Sequence, residues 1–253
     1  MKSLVRFFTL TLGFTFATQL PAVLAMYGVI DGPVSAYAPL AGLGGLGPLL
    51  AALWLSRRRA GGDGVGALLR KKGPGRVGLG WYPLALLLSP ALYVVGALAA
   101  NLAGADIPWF FPPEAAPHVA GMVIMPIAEE PGWRGFALPR LERRLAAVPA
   151  ALALGVVWAA WHTMMFILQG TVSHFPVMAL HLLAGSVLFS WVYRRTAGSL
   201  LCAVLFHAGA HLCNPLHALP GSALPFYVIA GATCVAAIAV VALDREAWRQ
   251  PPF

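Results

Sequence analysis

Residues 126–144 read Pro-Ile-Ala-Glu-Glu-Pro-Gly-Trp-Arg-Gly-Phe-Ala-Leu-Pro-Arg-Leu-Glu-Arg-Arg. Two adjacent carboxylates, Glu129 and Glu130, and the cation Arg134 lie at the end of a run that is otherwise apolar from about Ala115. The flanks are hydrophobic enough for lipid. Ionisable groups there cost several kcal/mol each unless they pair or face a cavity, so they are functional-site candidates by default. The remaining chain can be read as a scaffold that brings partners to this acidic pair.

Of the 253 residues, 59% are hydrophobic and 10% are charged, where a soluble domain carries about 25% charged residues. With a mean hydropathy of +0.77, the composition predicts an all-α, polytopic transmembrane helical bundle. Runs long enough to span a bilayer, roughly 20 residues each, fall at about 7–26, 34–55, 79–103, 115–138, 147–168, 175–193, 197–216 and 222–243. The expectation is therefore about eight spans in a single integral-membrane domain, 1–253, with no internal repeat. Lys2 and Arg6 ahead of an apolar run, with Ala22-Val-Leu-Ala25 behind it, resemble a signal peptide. The length of the run and the spans that follow favour an uncleaved first helix.

The basic residues test that topology. All 17 Lys and Arg fall on one side of the expected bundle, whereas the opposite loops carry only Asp31, Asp106 and Glu114. This is the positive-inside pattern, with both termini cytoplasmic. Trp54, Trp81, Trp109, Trp191 and Trp248 lie near span ends, as an aromatic belt would. The net charge of +8 is thereby accounted for as a topology signal and an attraction to anionic lipid heads, not as a nucleic-acid surface. The Gly/Arg-rich connection 60–78 reads as a cytoplasmic loop. Cys202, Cys213 and Cys234 lie in apolar stretches without CxxC spacing, which argues against a disulfide framework or a cysteine metal site.

Several constellations compete for a role. Gly42, Gly44 and Gly47 match G-x-G-x-x-G, but they sit in a lipid-length apolar run, where close helix packing explains them better than nucleotide binding. On a helix, Glu130 and Arg134 are one turn apart and can pair. Glu129 then points about 100° away and stays available for chemistry. Pro131 lacks an N–H and Gly132 loosens the backbone further, so a kink is expected here. Such a break at membrane depth is tolerated beside protein or a water-filled cavity. His162 lies inside the fifth span, and His207 and His211 share a face of the seventh, a spacing that can ligate a metal or clamp an oxygen. Ala208 stands where a soluble zinc protease has its Glu, and Asn214 follows on nearly the same face. His118, His174, His181 and His217 read as structural. Spans one, two, three and eight carry essentially no polar groups at depth, so spans four, five and seven are expected to converge on one polar pocket open to the cytoplasm. A Glu beside imidazoles has the parts for hydrolysis: a base for water, a group to position it, and donors for an oxyanion.

Glu-Glu-x-x-x-Arg at 129–134, an aromatic-x-x-x-His at 158–162 and the His207 site resemble the three motifs of the CPBP family, the CAAX-protease and bacteriocin-processing (Abi) intramembrane proteases. The string from Glu129 to Leu141 looks much like bacterial members, which implies the cytoplasmic membrane of a prokaryote. The match covers about 115–214. The resemblance implies an endopeptidase acting on a hydrophobic peptide, prenylated or leader-like, or on the tail of another membrane protein. It gives Glu129 and His162 the water-activating role, makes Glu130 and Arg134 supports, and puts His207 in the oxyanion or metal-binding group. Trp158 replaces the usual Phe, and His211 stands where Asn or Asp is usual, with Asn214 as an alternative amide. Zinc on His162, His207 and a Glu is compatible with this pattern, and so is a metal-free glutamate mechanism. The competing readings are a non-catalytic scaffold or bacteriocin-immunity-type protein of the same fold and, at longer odds, an ion-coupled transporter.

Overall fold

The computed structural model describes residues 2–57, 64, 77–109, 116–212 and 223–251, with side chains for all of these except 116–120 and 122. Every regular element among the described residues is helical. Among the described residues, six helical stretches are long and apolar enough to cross a membrane: Lys2–Met26, Val34–Arg57, Trp81–Leu102, Ala147–Leu168, Val172–Arg195 and Leu224–Leu243. Helices also occupy the other two expected stretches, but with different geometry. Connection 60–78 lies almost wholly outside the described residues, as do Cys213, Asn214, His217 and the side chain of His118.

Helix α1 (Lys2–Met26) packs against α2 (Val34–Gly42) and α3 (Gly47–Arg57), which a short 3-10 turn, Leu43–Leu46, joins into one stretch. The glycine row is what lets them meet. A Cβ on Gly44 would lie 2.9 Å from Thr18 Oγ1, and one on Gly47 would lie 2.7 Å from Thr15 Oγ1. These are small residues at a close helix contact, as their apolar setting predicts.

Helix α4 spans Trp81–Leu102. The acidic stretch follows as α5 (Ala116–Glu130), which passes through a π-helical turn, Pro131–Ala137, into α6 (Leu138–Glu142). The expected kink is thus a widened turn. Pro131 has no N–H for the α-helical ladder, and a π turn is one way to absorb that loss, often at functional sites. Gly132 lets the turn press against α3, because a Cβ there would lie 2.6 Å from the Pro48 carbonyl oxygen. Phe7 of α1 supports the turn from the other side, its ring 5.7 Å from Trp133 and 5.0 Å from Phe136.

Helix α7 (Ala147–Trp161) stops at His162 and resumes as α8 (Thr163–Leu168). The 3-10 turn Val172–His174 leads into α9 (Phe175–Arg195). Helix α10 (Leu200–Leu212) has 13 described residues, about 20 Å of helix, and its expected extension to Leu216 falls outside the described residues. Then come α11 (Leu224–Leu243) and the short α12 (Arg245–Arg249). The packing closes a circuit in which α7 meets α9, α9 meets α11, α11 meets α4, α4 meets α10, and α10 meets α5. The π turn then meets α3, α3 meets α1, and α1 meets α8.

Beyond the spans, α9 holds α12 through two arginines. Arg194 Nη1 lies 2.8 Å from Glu142 Oε1, its Nε donates to the Ala247 carbonyl at 2.7 Å, and Nη2 donates to the Gln250 carbonyl. Arg195 forks onto Asp244, which also accepts from Trp191 Nε1 at 2.7 Å.

Candidate active site

Glu129, the last but one residue of α5, is buried, and its carboxylate is held by two indoles. Trp133 Nε1 and Trp158 Nε1 both donate to Oε2 at 3.3 Å. Both bonds reach the same oxygen, which leaves Oε1 as the one turned to other work. The expectation that Glu129 stays available for chemistry does not include these two indole partners. The cue was present, since Trp133 stands one turn beyond Glu129 just as Arg134 stands one turn beyond Glu130.

Glu130 lies behind this group. Arg134 Nη1 donates to its Oε1 at 2.9 Å and its Oε2 at 3.2 Å, with both side chains fully buried. The guanidinium sits 4.0 Å from the Phe189 ring centroid and 4.8 Å from that of Trp158, close enough for cation–π attraction. Arg134 Nε and Nη2 have no hydrogen-bond partner, so the rings supply the contact on that side. Glu130 Oε1 also receives Nδ1 of His207, 2.7 Å away across the bundle from α10.

His162 occupies the break between α7 and α8, its Nδ1 2.8 Å from the Trp158 carbonyl. A carbonyl only accepts, so Nδ1 carries the proton, and in the neutral ring Nε2 is a free lone pair. His207 follows the same logic when Glu130 is a carboxylate. The His211 ring lies one helical turn on, 4.9 Å from that of His207.

Glu129, Trp158, His162, His207 and His211 line one cavity of about 400 Å³. Glu130 and Arg134 do not line it; they buttress it from behind. Glu129 of the fourth expected span and the imidazoles of the fifth and seventh therefore meet around one hollow, while Glu130 reaches it only through His207. Other expectations need correction. His181 of α9, read as structural, lines the same cavity, and so do Gln19 of α1, Ser89 of α4 and Thr233 of α11. Helix α1 is thus not devoid of polar groups at depth. Thr11, Thr15 and Gln19 recur at one-turn spacing, and Thr15 ties the site to the 3-10 turn between α2 and α3: Trp161 Nε1 donates to Thr15 Oγ1 at 2.8 Å, and Thr15 Oγ1 donates to the Gly44 carbonyl at 2.7 Å. His174 matches its structural reading, pairing with the Tyr227 hydroxyl at 2.9 Å.

Nδ1 of both His162 and His207 is hydrogen-bonded, which leaves Nε2 as the atom either could offer a metal; among the described residues no group of three His, Cys, Asp or Glu side chains is disposed to hold an ion. Glu129, His162 and His207 face one cavity without forming such a group.

Fold and site together define a multi-pass helical membrane protein with a buried glutamate–imidazole cavity. Residues 111–213 match the family described as Type II CAAX prenyl endopeptidase Rce1-like. The chain is also 22% identical over 180 residues to "CAAX prenyl protease 2" of Methanococcus maripaludis, an alignment covering 65% of this chain and 66% of that protein. Both matches agree with the resemblance to the CPBP/CAAX protease family that the motifs carry. The chain spans 66%, slightly under two thirds, of the length of the curated relative it matches.

Proposed function

We propose that this protein is a CAAX-type intramembrane endopeptidase that hydrolyses a peptide bond in a hydrophobic substrate, prenylated or not. The observation that carries this reading is the opening of the Glu129 carboxylate onto a cavity shared with His162, His207 and His211. Glu129 Oε1 takes a proton from a water whose other hydrogen is accepted by Nε2 of His162. The resulting hydroxide attacks the scissile carbonyl carbon. When protonated on both nitrogens, His207 donates from Nε2 to the oxyanion, with Nδ1 anchored on Glu130, and His211 adds a second imidazole. Collapse of the tetrahedral intermediate breaks the C–N bond, and the proton held by Glu129 passes to the leaving amine. Trp133 and Trp158 fix the carboxylate, while Arg134 fixes Glu130. The largely apolar lining of the cavity, with Met125, Met165, Leu182 and Phe206 among its residues, suits a hydrophobic or lipidated segment arriving from the membrane.

The test is turnover by the purified protein in detergent, using quenched peptides with and without a farnesylated cysteine. Cleavage supports the proposal, whereas binding of the same peptides without turnover would favour a scaffold of this fold. Exhaustive dialysis against a chelator should leave cleavage unchanged. A loss that zinc restores would instead give His162 and His207 the role of metal ligands.

A further inference from the structure

A cavity of about 400 Å³ is an order of magnitude larger than the ~30 Å³ that one water occupies in the liquid. The proposed hydrolysis uses only part of its polar lining. Gln19 from α1 and His181 from α9 face the same space but come from helices that contribute nothing to that chemistry. Gln19 Oε1 and His181 Nδ1 are buried atoms without a hydrogen-bond partner. The His181 ring is steadied by an edge contact with Phe226, their centroids 6.2 Å apart. Buried polar atoms in native proteins are nearly always satisfied, and those left open at a cavity mark where a ligand or ordered water completes them.

The two atoms are chemically complementary. An amide oxygen only accepts, and an imidazole Nδ1 that carries its proton donates. A peptide backbone presents the matching pair at every residue, an N–H and a C=O. Building on the endopeptidase reading above, we infer that Gln19 and His181 are substrate-positioning residues that bind the backbone of the bound peptide: Gln19 Oε1 accepts an N–H, and His181 Nδ1 donates to a carbonyl. Recognition through backbone atoms leaves side-chain selection to the apolar walls. It also sets the register that carries one particular bond to Glu129.

The inference is tested with a short apolar peptide bearing a farnesylated cysteine and a series in which each backbone amide in turn is replaced by an ester. Dissociation constants and, where turnover occurs, kcat and KM are measured for the full chain and for Gln19→Met, His181→Phe and His181→Asn. One ester position should weaken binding to the unmodified protein roughly tenfold and have no such effect on Gln19→Met. His181→Phe should raise KM by a similar factor with kcat little changed, and His181→Asn, which restores a donor, should recover most of the loss. Equal ester effects in both proteins, no rescue by Asn, or no peptide binding at all would overturn the inference. Coupled binding without turnover would sink the endopeptidase reading and leave this one standing. Turnover without coupling would do the reverse.

Discussion

Among the described residues there are two buried carboxylate–arginine pairs, and they differ in how completely the cation is satisfied. In Glu142–Arg194, each of the three guanidinium nitrogens has an oxygen partner: the carboxylate, the Ala247 carbonyl and the Gln250 carbonyl. In Glu130–Arg134 only Nη1 is used; Nε and Nη2 have no partner, and the cation rests on aromatic rings. Glu130 in turn shares an oxygen with His207 beside the open carboxylate of Glu129. A buried cation whose nitrogens all lie against oxygens is a fastening. A pair left incomplete beside a cavity is under-satisfied for a reason, and function is the usual one.

The sharpest way to break this contrast is to remove one group from each region. His162→Ala should lower kcat/KM by about 10²–10⁴-fold, the usual range for a lost acid–base or water-positioning group, with the unfolding midpoint in detergent little changed. Arg194→Ala should behave oppositely. It takes the Arg194 cation away from buried Glu142 and should destabilise by about 3–5 kcal/mol, while the protein that remains folded keeps its specific activity. Trp158→Phe removes one of the two indole bonds to Glu129 and keeps the ring. It should slow turnover about tenfold, the scale of one buried hydrogen bond.

The smallest expected effect concerns pH. The Arg195 fork, helped by the Trp191 indole, holds the Asp244 carboxyl down to about 2, below the ~3.9 of a free Asp. Because this pKa is depressed in the folded state, its contribution to stability is complete above pH ~4 and is lost as pH falls towards 2. Trp191 fluorescence should report detachment of α12 over that interval, and Asp244→Asn should remove the transition without touching catalysis.

Much of the fold is legible in the chain because lipid imposes a simple rule on composition, and because local pairings follow helical periodicity. Glu130 with Arg134 and His207 with His211 are of this kind. The π turn is half legible: Pro131 announces a break in the ladder, but only its packing against Pro48 decides the form. The Thr11, Thr15, Gln19 step on α1 obeys the same one-turn period and could have been found by applying it to hydroxyls and amides as well as to charges. His181 could not. Its place at the cavity depends on which face of α9 turns inward, and that is settled by contacts among α7, α9 and α11 far apart in sequence.

The most direct measurement is peptide hydrolysis by Glu129→Gln set beside Glu142→Gln, each matched to the unmodified protein for folded content. The account predicts that Glu129→Gln folds and inserts normally, binds peptide and cleaves none, while Glu142→Gln is less stable and still cleaves. Full activity in the Glu129 variant would contradict the central claim that this carboxylate activates the attacking water.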